Sequence, residues 1–217
     1  MKIHKAHQFR LYPTKEQEVL IAKTIGCSRF VFNHFLEKWN TLFEETGNGL
    51  TYPACSAELT QLKKELHWLK EVDSISLQSA LRHLDDAFSR LQKKQNNKPK
   101  FKSKNKPVQS YTTKFTNGNI AVRNHHIKLP KLGLVRLSNS HTIAGRILNA
   151  TIRRKPSGTY CVSVLVETEV HPLPKTGSEV GSMWGLTNLP FFRMEQYTLI
   201  RSMFVGWRKS WRKSKEY

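Results

Sequence analysis

Residues 3–12, Ile-His-Lys-Ala-His-Gln-Phe-Arg-Leu-Tyr, contain no helix start or stop and run straight into Pro13, the pattern of a strand. The eighty or so residues that follow carry helical spacing and offer it no partner. A lone strand is not stable, so this one must cross the helical block and join the β-patterned region behind it. That requirement sets the predicted fold class, α+β. Strand 1–12 belongs to a C-terminal antiparallel β barrel, and a helical bundle is inserted between the two.

The helical block divides at recognisable signals. Thr14-Lys15-Glu16-Gln17 after Pro13 is a capping box, so a helix starts at Thr14 and runs to about Thr24. Gly26 is expected to break it, with Ser28 available to cap the next helix. From Phe30, the residues Phe32, Phe35, Leu36, Trp39, Leu42 and Phe43 recur at steps of three and four until Gly47-Asn48-Gly49. Leu59, Leu62, Leu66 and Leu69 mark a helix over 56–70. Asp73 or Ser74 caps a further one carrying Leu77, Leu81, Leu84, Phe88 and Leu91. Helix packing accounts for both leucine stripes without a ligand.

At Gln95 the pattern changes. Residues 93–106 are too polar and too interrupted by proline for a helix. Short strands follow at 111–115, 120–123, 126–129 and 134–137, then longer ones at 147–154 and 159–166 around a Pro156-Ser157-Gly158 hairpin turn. The expected domains are thus a first barrel strand at 1–12 and a helical lobe at 13–95 with a helix-turn-helix-like start. A basic junction at 96–109 leads into the barrel at 110–172, and 173–217 form a disordered or irregular tail.

Charge follows this division. The 80 residues between Asp86 and Glu167 contain 17 Lys and Arg and no acid, so they carry most of the formal net charge of +20. Residues 1–86 cancel to zero, with 11 basic and 11 acidic side chains. A surface shaped only for solubility mixes both signs; a long block of one sign implies a polyanion, here nucleic acid. With 38% hydrophobic residues, five Trp and eleven Phe the chain is not a disordered one. No apolar run long enough to span a membrane or to serve as a signal peptide is present, so a cytoplasmic chain is expected, nucleoid-associated when bound to DNA, with no membrane partner.

Cys27, Cys55 and Cys161 are dispersed and form no C-x-x-C pair, which fits a reducing compartment and small buried thiols. The nine His are scattered, and the adjacent His125 and His126 point to opposite faces of a strand. No metal, cofactor or catalytic residue is therefore assigned. No nucleophile–base pair, phosphate loop or converging carboxylates appear either.

The candidate nucleic-acid-binding residues are Arg10, Tyr12, Lys98, Lys100, Phe101, Lys102, Lys104, Arg153 and Lys155. Alternate lysines in 98–104 suit phosphate tracking, and Phe101 suits base stacking; a solvated linker is the competing reading. Arg153 and Arg154 must point to opposite faces of their strand, so at most one serves a groove. Residues 14–45 have the length of a helix-turn-helix. Only Arg29, His34 and Lys38 could contact DNA there, in a helix otherwise dominated by Phe, Trp and Leu, and core packing explains it better.

Four stretches together resemble the TnpB (OrfB) proteins of bacterial insertion sequences. They are Phe9–Gln17 (Phe-Arg-Leu-Tyr-Pro-Thr-Lys-Glu-Gln), Arg29-Phe30-Val31-Phe32-Asn33, Pro99–Lys104 (Pro-Lys-Phe-Lys-Ser-Lys), and Leu132–Leu137 with the hairpin to Val166. The likeness covers about residues 1–181. It implies a wedge-type, OB-like barrel interrupted by a helical recognition lobe. It further implies guide RNA and target DNA as partners, in a family of RNA-guided DNA endonucleases whose protein part senses duplex shape and a short adjacent motif.

The departure from the family begins at Gly181. The nuclease domain should open there with Ile-Asp-Val/Leu-Gly-Leu, whose Asp is the first metal-binding carboxylate, but the chain reads Ser182-Met183-Trp184-Gly185-Leu186. The bases ATC-GAT-GTG for Ile-Asp-Val, read one position later, give TCG-ATG-TGG, which encodes Ser-Met-Trp. A second shift near residue 189 would account for Leu189–Glu195. Residues 173–217 are thus expected to be an out-of-frame remnant, with the family's Mg-binding carboxylates and Zn ribbon missing. The expected function is a catalytically inactive, nucleic-acid-binding fragment of a TnpB-type transposase; the alternative is an autonomous helix-turn-helix DNA-binding protein.

Overall fold

The computed structural model describes residues 1–105, 107–138 and 143–170, and the backbone of 182–184 and 190–192. The elements in order are β1 (Lys2–Tyr12), α1 (Lys15–Thr46), α2 (Tyr52–Glu65), a 3₁₀ turn (His67–Lys70) and α3 (Ser74–Gln92). There follow β2 (Gln109–Lys114), β3 (Ala121–Arg123), β4 (His126–Leu129), β5 (Gly133–Leu137), β6 (Arg146–Arg154) and β7 (Tyr160–Glu169). Among the described residues no helix is long and apolar enough to cross a membrane.

The N-terminal strand finds its partners where the pairing argument requires. β1 runs antiparallel to β7 from Lys2↔Glu169 to Leu11↔Tyr160, and its end also pairs β5 through Tyr12↔Arg136. It thereby becomes the central strand of a seven-stranded antiparallel sheet in the order β2-β6-β7-β1-β5-β4-β3.

The sheet is not a closed barrel, contrary to expectation. β2 and β3 are its two edges and do not pair with each other. β3 is only three residues long and offers too few ladder groups to close a seam. β2 is instead flanked by α3, where the buried Asp73 carboxylate accepts from the Thr113 hydroxyl at 2.6 Å while capping the helix through the Ile75 N–H at 3.0 Å. α3 is thus tied to the buried face of the edge strand β2 rather than a further strand pairing with it.

Alternation along the strands puts one face inside. Phe9 and Leu11 of β1, Val162, Val164 and Val166 of β7, Ile152 of β6 and Val135 of β5 all enter one core. Ile21 and Ile25 of α1 close that core. A second core lies between the helices, around Val31, Phe35, Leu36, Leu69, Leu77 and Leu81.

α1 corrects a second expectation. It is one helix of 32 residues, and Gly26 does not break it. Glycine in a helix interior costs about 1 kcal/mol relative to alanine. Here that cost is outweighed, because the helix is anchored in both cores: Ile21 and Ile25 before Gly26 in the sheet core, Cys27, Val31 and Phe32 after it in the helical one. Ser28, the expected second cap, is buried inside the helix. The capping box at Thr14 and Gln17 forms with both reciprocal bonds, and Gly47 ends the helix in the left-handed region at φ 70°.

The helix expected over 56–70 begins earlier, at Tyr52 with Pro53 in its first turn, and ends at Glu65. Ser182–Trp184 pair with Pro190–Phe192 as a small separate ladder within the tail expected to be irregular. The rest of the tail lies outside the described residues.

Candidate nucleic-acid interface

The seven strands carry ten Lys and Arg and only two acids, Glu167 and Glu169, both at the far end of β7. Glu167 is occupied there by Lys2 at 3.9 Å and His4 at 4.0 Å. Among the described strand residues, the opposite end of the solvent face carries no carboxylate. Register fixes what stands on it. Arg10, Cys161 and Arg153 face one another across β1, β7 and β6, and Tyr12, Arg136, His126 and Arg123 do so across β1, β5, β4 and β3. All but Cys161 are exposed. The Arg10 guanidinium lies 5.4 Å and that of Arg136 5.9 Å from the Tyr12 ring centre. Exposed Arg beside an exposed aromatic is the combination that grips both parts of a nucleotide, phosphate and base.

The basic junction is a second strip. It is not a free linker, because Asn33 of α1 grips its backbone at Lys102. The side-chain amide donates to the Lys102 carbonyl at 2.9 Å, and its oxygen accepts the Lys102 N–H at 2.8 Å. The Lys102 ammonium sits 3.8 Å over the Phe32 ring. Lys98, Lys100 and Lys104 remain exposed, as does Phe101.

The nine sequence-predicted residues therefore fall into two groups. Arg10, Tyr12 and Arg153 share the solvent face of the sheet, and Lys155 lies in the turn after Arg153, its N–H bonded to Thr159. Arg154, on the other strand face, points away from Arg10. Lys98, Lys100, Phe101, Lys102 and Lys104 form the junction strip, with Lys102 held against α1. Sequence pattern does not single out Arg136, His126 or Arg123, because only the β1–β5–β4–β3 register places them beside Tyr12. Asn33 stands two turns after Gly26 in α1, and nothing local in the sequence says what it would hold.

Two of the three helix-turn-helix candidates are engaged within the helical lobe, and Arg29 is half-buried. His34 stacks on Phe30 with centroids 5.8 Å apart, and Lys38 is paired with Glu58. Burial raises the thiol pKa of Cys55 to about 11 and pushes Cys27 up as well, which removes both from nucleophilic chemistry near neutrality. Among the described residues no group of three His, Cys, Asp or Glu converges as a metal site would require.

The chain is similar in sequence to known proteins. A family model described as a helix-turn-helix domain, of the OrfB type, matches residues 1–48, the segment that here forms β1 and α1. Over 193 residues the chain is 34% identical to a Streptomyces pristinaespiralis protein provisionally named RNA-guided DNA endonuclease; the match covers 87% of this chain and 48% of that one. It is 31% identical over 193 residues to the Escherichia coli (strain K12) protein provisionally named RNA-guided DNA endonuclease InsQ, covering 87% of this chain and 47% of that one. Virulence protein VsdF of Salmonella dublin is 34% identical over 88 residues, which make up 36% of this chain and 74% of VsdF. The chain spans about half the length of the two endonuclease-named relatives.

Proposed function

The chain belongs to the TnpB (OrfB) family of insertion-sequence proteins, and from that premise we propose that it is the nucleic-acid-gripping part of a TnpB-type transposase without cleavage activity. The observation that carries this reading is the placement of the acid-free block. It folds into a solvent-facing sheet surface and a docked lysine strip, with carboxylates only at the far end of β7. Guide RNA and target DNA, by analogy with the names of the relatives, are the partners this surface suits. The domain division at residues 12, 95, 109 and 172 is part of the same proposal.

Inactivity rests on the sequence at Ser182-Met183-Trp184, where the family's first metal-binding carboxylate has no counterpart. On this reading magnesium finds no first carboxylate at 182–184. The nucleotide sequence around codons 182 and 189 tests the frameshift: if its other frames encode no Ile-Asp-Val-like peptide, the remnant reading is wrong. A purified chain that cut DNA with magnesium and its cognate guide RNA would overturn inactivity outright.

The description of the matching model supports a second reading, an autonomous DNA-binding regulator acting through α1. Arg29→Ala with Lys38→Ala should then abolish binding while Lys98, Lys100 and Lys104 matter little. The main reading requires the opposite, and the pairing of Lys38 with Glu58 favours it.

A further inference from the structure

We propose that the solvent face of the sheet seats single-stranded RNA, with one unpaired base stacked on the Tyr12 ring between Arg10 and Arg136. This rests on the nucleic-acid reading above and adds to it the strand state, the sugar and the seat.

Four observations converge on the site. Tyr12 is 46% exposed at the end of β1, although its neighbour Leu11 is buried on the other face, so its ring is presented rather than packed. Both guanidiniums lie near the outer limit of a cation–π contact, at 5.4 and 5.9 Å. A base at stacking distance can displace either one, and the displaced guanidinium then meets the phosphate beside that base.

The positive stripe continues on both sides of the seat. Arg153 stands two strands away on β6, and Arg136, His126 and Arg123 stand on β5, β4 and β3. From β6 to β3 the stripe crosses five strand spacings, on the order of 24 Å, enough for several nucleotides. Two residues along from Arg10, the register sets Gln8, Ser163, Thr151 and Thr112 opposite one another on the same face. These are uncharged donors and acceptors, and Thr112 and Thr151 already share a hydrogen bond at 2.9 Å. Such a row suits 2′-hydroxyls, which DNA lacks. Inside a duplex both faces of a base are covered by its stacked neighbours, whereas a single strand splays bases out for an exposed ring such as Tyr12, so a single strand fits the seat best.

The test uses the full chain and a short RNA carrying 2-aminopurine, the DNA of the same sequence, and an RNA hairpin. The chain should bind the single-stranded RNA most tightly and quench its fluorescence. Tyr12→Phe should retain both properties. Tyr12→Ala, with circular dichroism showing the native fold, should lose the quench and weaken binding by roughly tenfold. Arg136→Ala should lower the salt slope by about 0.7. Replacing Lys98, Lys100 and Lys104 by Ala should weaken binding and leave the quench intact. An unchanged quench in Tyr12→Ala overturns the stacking seat, equal affinity for the DNA overturns the RNA assignment, and preference for the hairpin overturns the strand state. If the wild-type chain binds none of the three, the proposed function itself falls; if it binds and Tyr12→Ala is indifferent, only the seat does.

Discussion

Gln17 holds more of the fold than its place on the helix surface suggests. Its carbonyl oxygen accepts the Thr14 N–H at 3.0 Å, and its amide donates to the carbonyls of Leu132 at 3.1 Å and Leu134 at 2.9 Å. One side chain thus caps α1 and ties it to the β4–β5 turn. Gln17→Ala should cost about 1–3 kcal/mol in urea unfolding, the worth of a cap plus partly buried hydrogen bonds. Gln17→Glu should be worse than Ala, because a carboxylate would face two carbonyls it cannot donate to. Cys55 makes a second prediction. With its pKa near 11 from burial, reinforced by Glu58 and Asp85, only about one thiol in a thousand is ionised at pH 8. Labelling by a thiol reagent should therefore be slow in the native chain, rise about tenfold per pH unit up to pH 10, and become fast in denaturant. Fast labelling of Cys55 at pH 8 would contradict its burial.

At the scale of elements, α1 is where the two cores are joined, and Gly26 sits at the handover. No atom lies within 4 Å of the Cβ that alanine would add there, and the backbone is helical. Gly26→Ala should therefore stabilise by about 1 kcal/mol, a rise in Tm of roughly 2–4 °C. A true turn at Gly26 would give the opposite sign. Gly145 is the contrast, with φ +118° and a built Cβ only 2.4 Å from the Glu167 carbonyl oxygen; alanine should destabilise it. The sequence patterns made the strands and α3 of the main unit legible, because each has a clear period and a cap or turn, and α2 with its bounds displaced. The continuity of α1 was not, since a glycine signal is local and the two cores that override it are assembled from residues far apart. For the same reason Tyr12 was legible as a candidate and Arg136 was not: their meeting depends on a pairing between strands more than 120 residues apart.

For the whole molecule, the charge asymmetry should appear in its salt dependence. Each phosphate that the protein ceases to neutralise lowers the slope of log K against log salt by about 0.7 on single strands and 0.9 on duplex. Replacing Lys98, Lys100 and Lys104 together should reduce the slope by about 2–3, measured by anisotropy across a salt series. A slope that does not change would leave the junction strip without a role in binding. The position of β1 has a consequence of another kind. It leaves the ribosome well before both its partners, β5 and β7, which lie beyond residue 132. At translation rates of about 5–20 residues per second, the 157 residues from Tyr12 to Glu169 take roughly 8–30 s to appear. For that interval a strand destined for the middle of the sheet has no ladder to join, while the helices behind it can already pack. The chain's vulnerability to misassembly is therefore concentrated in β1 and in the time before β7 arrives.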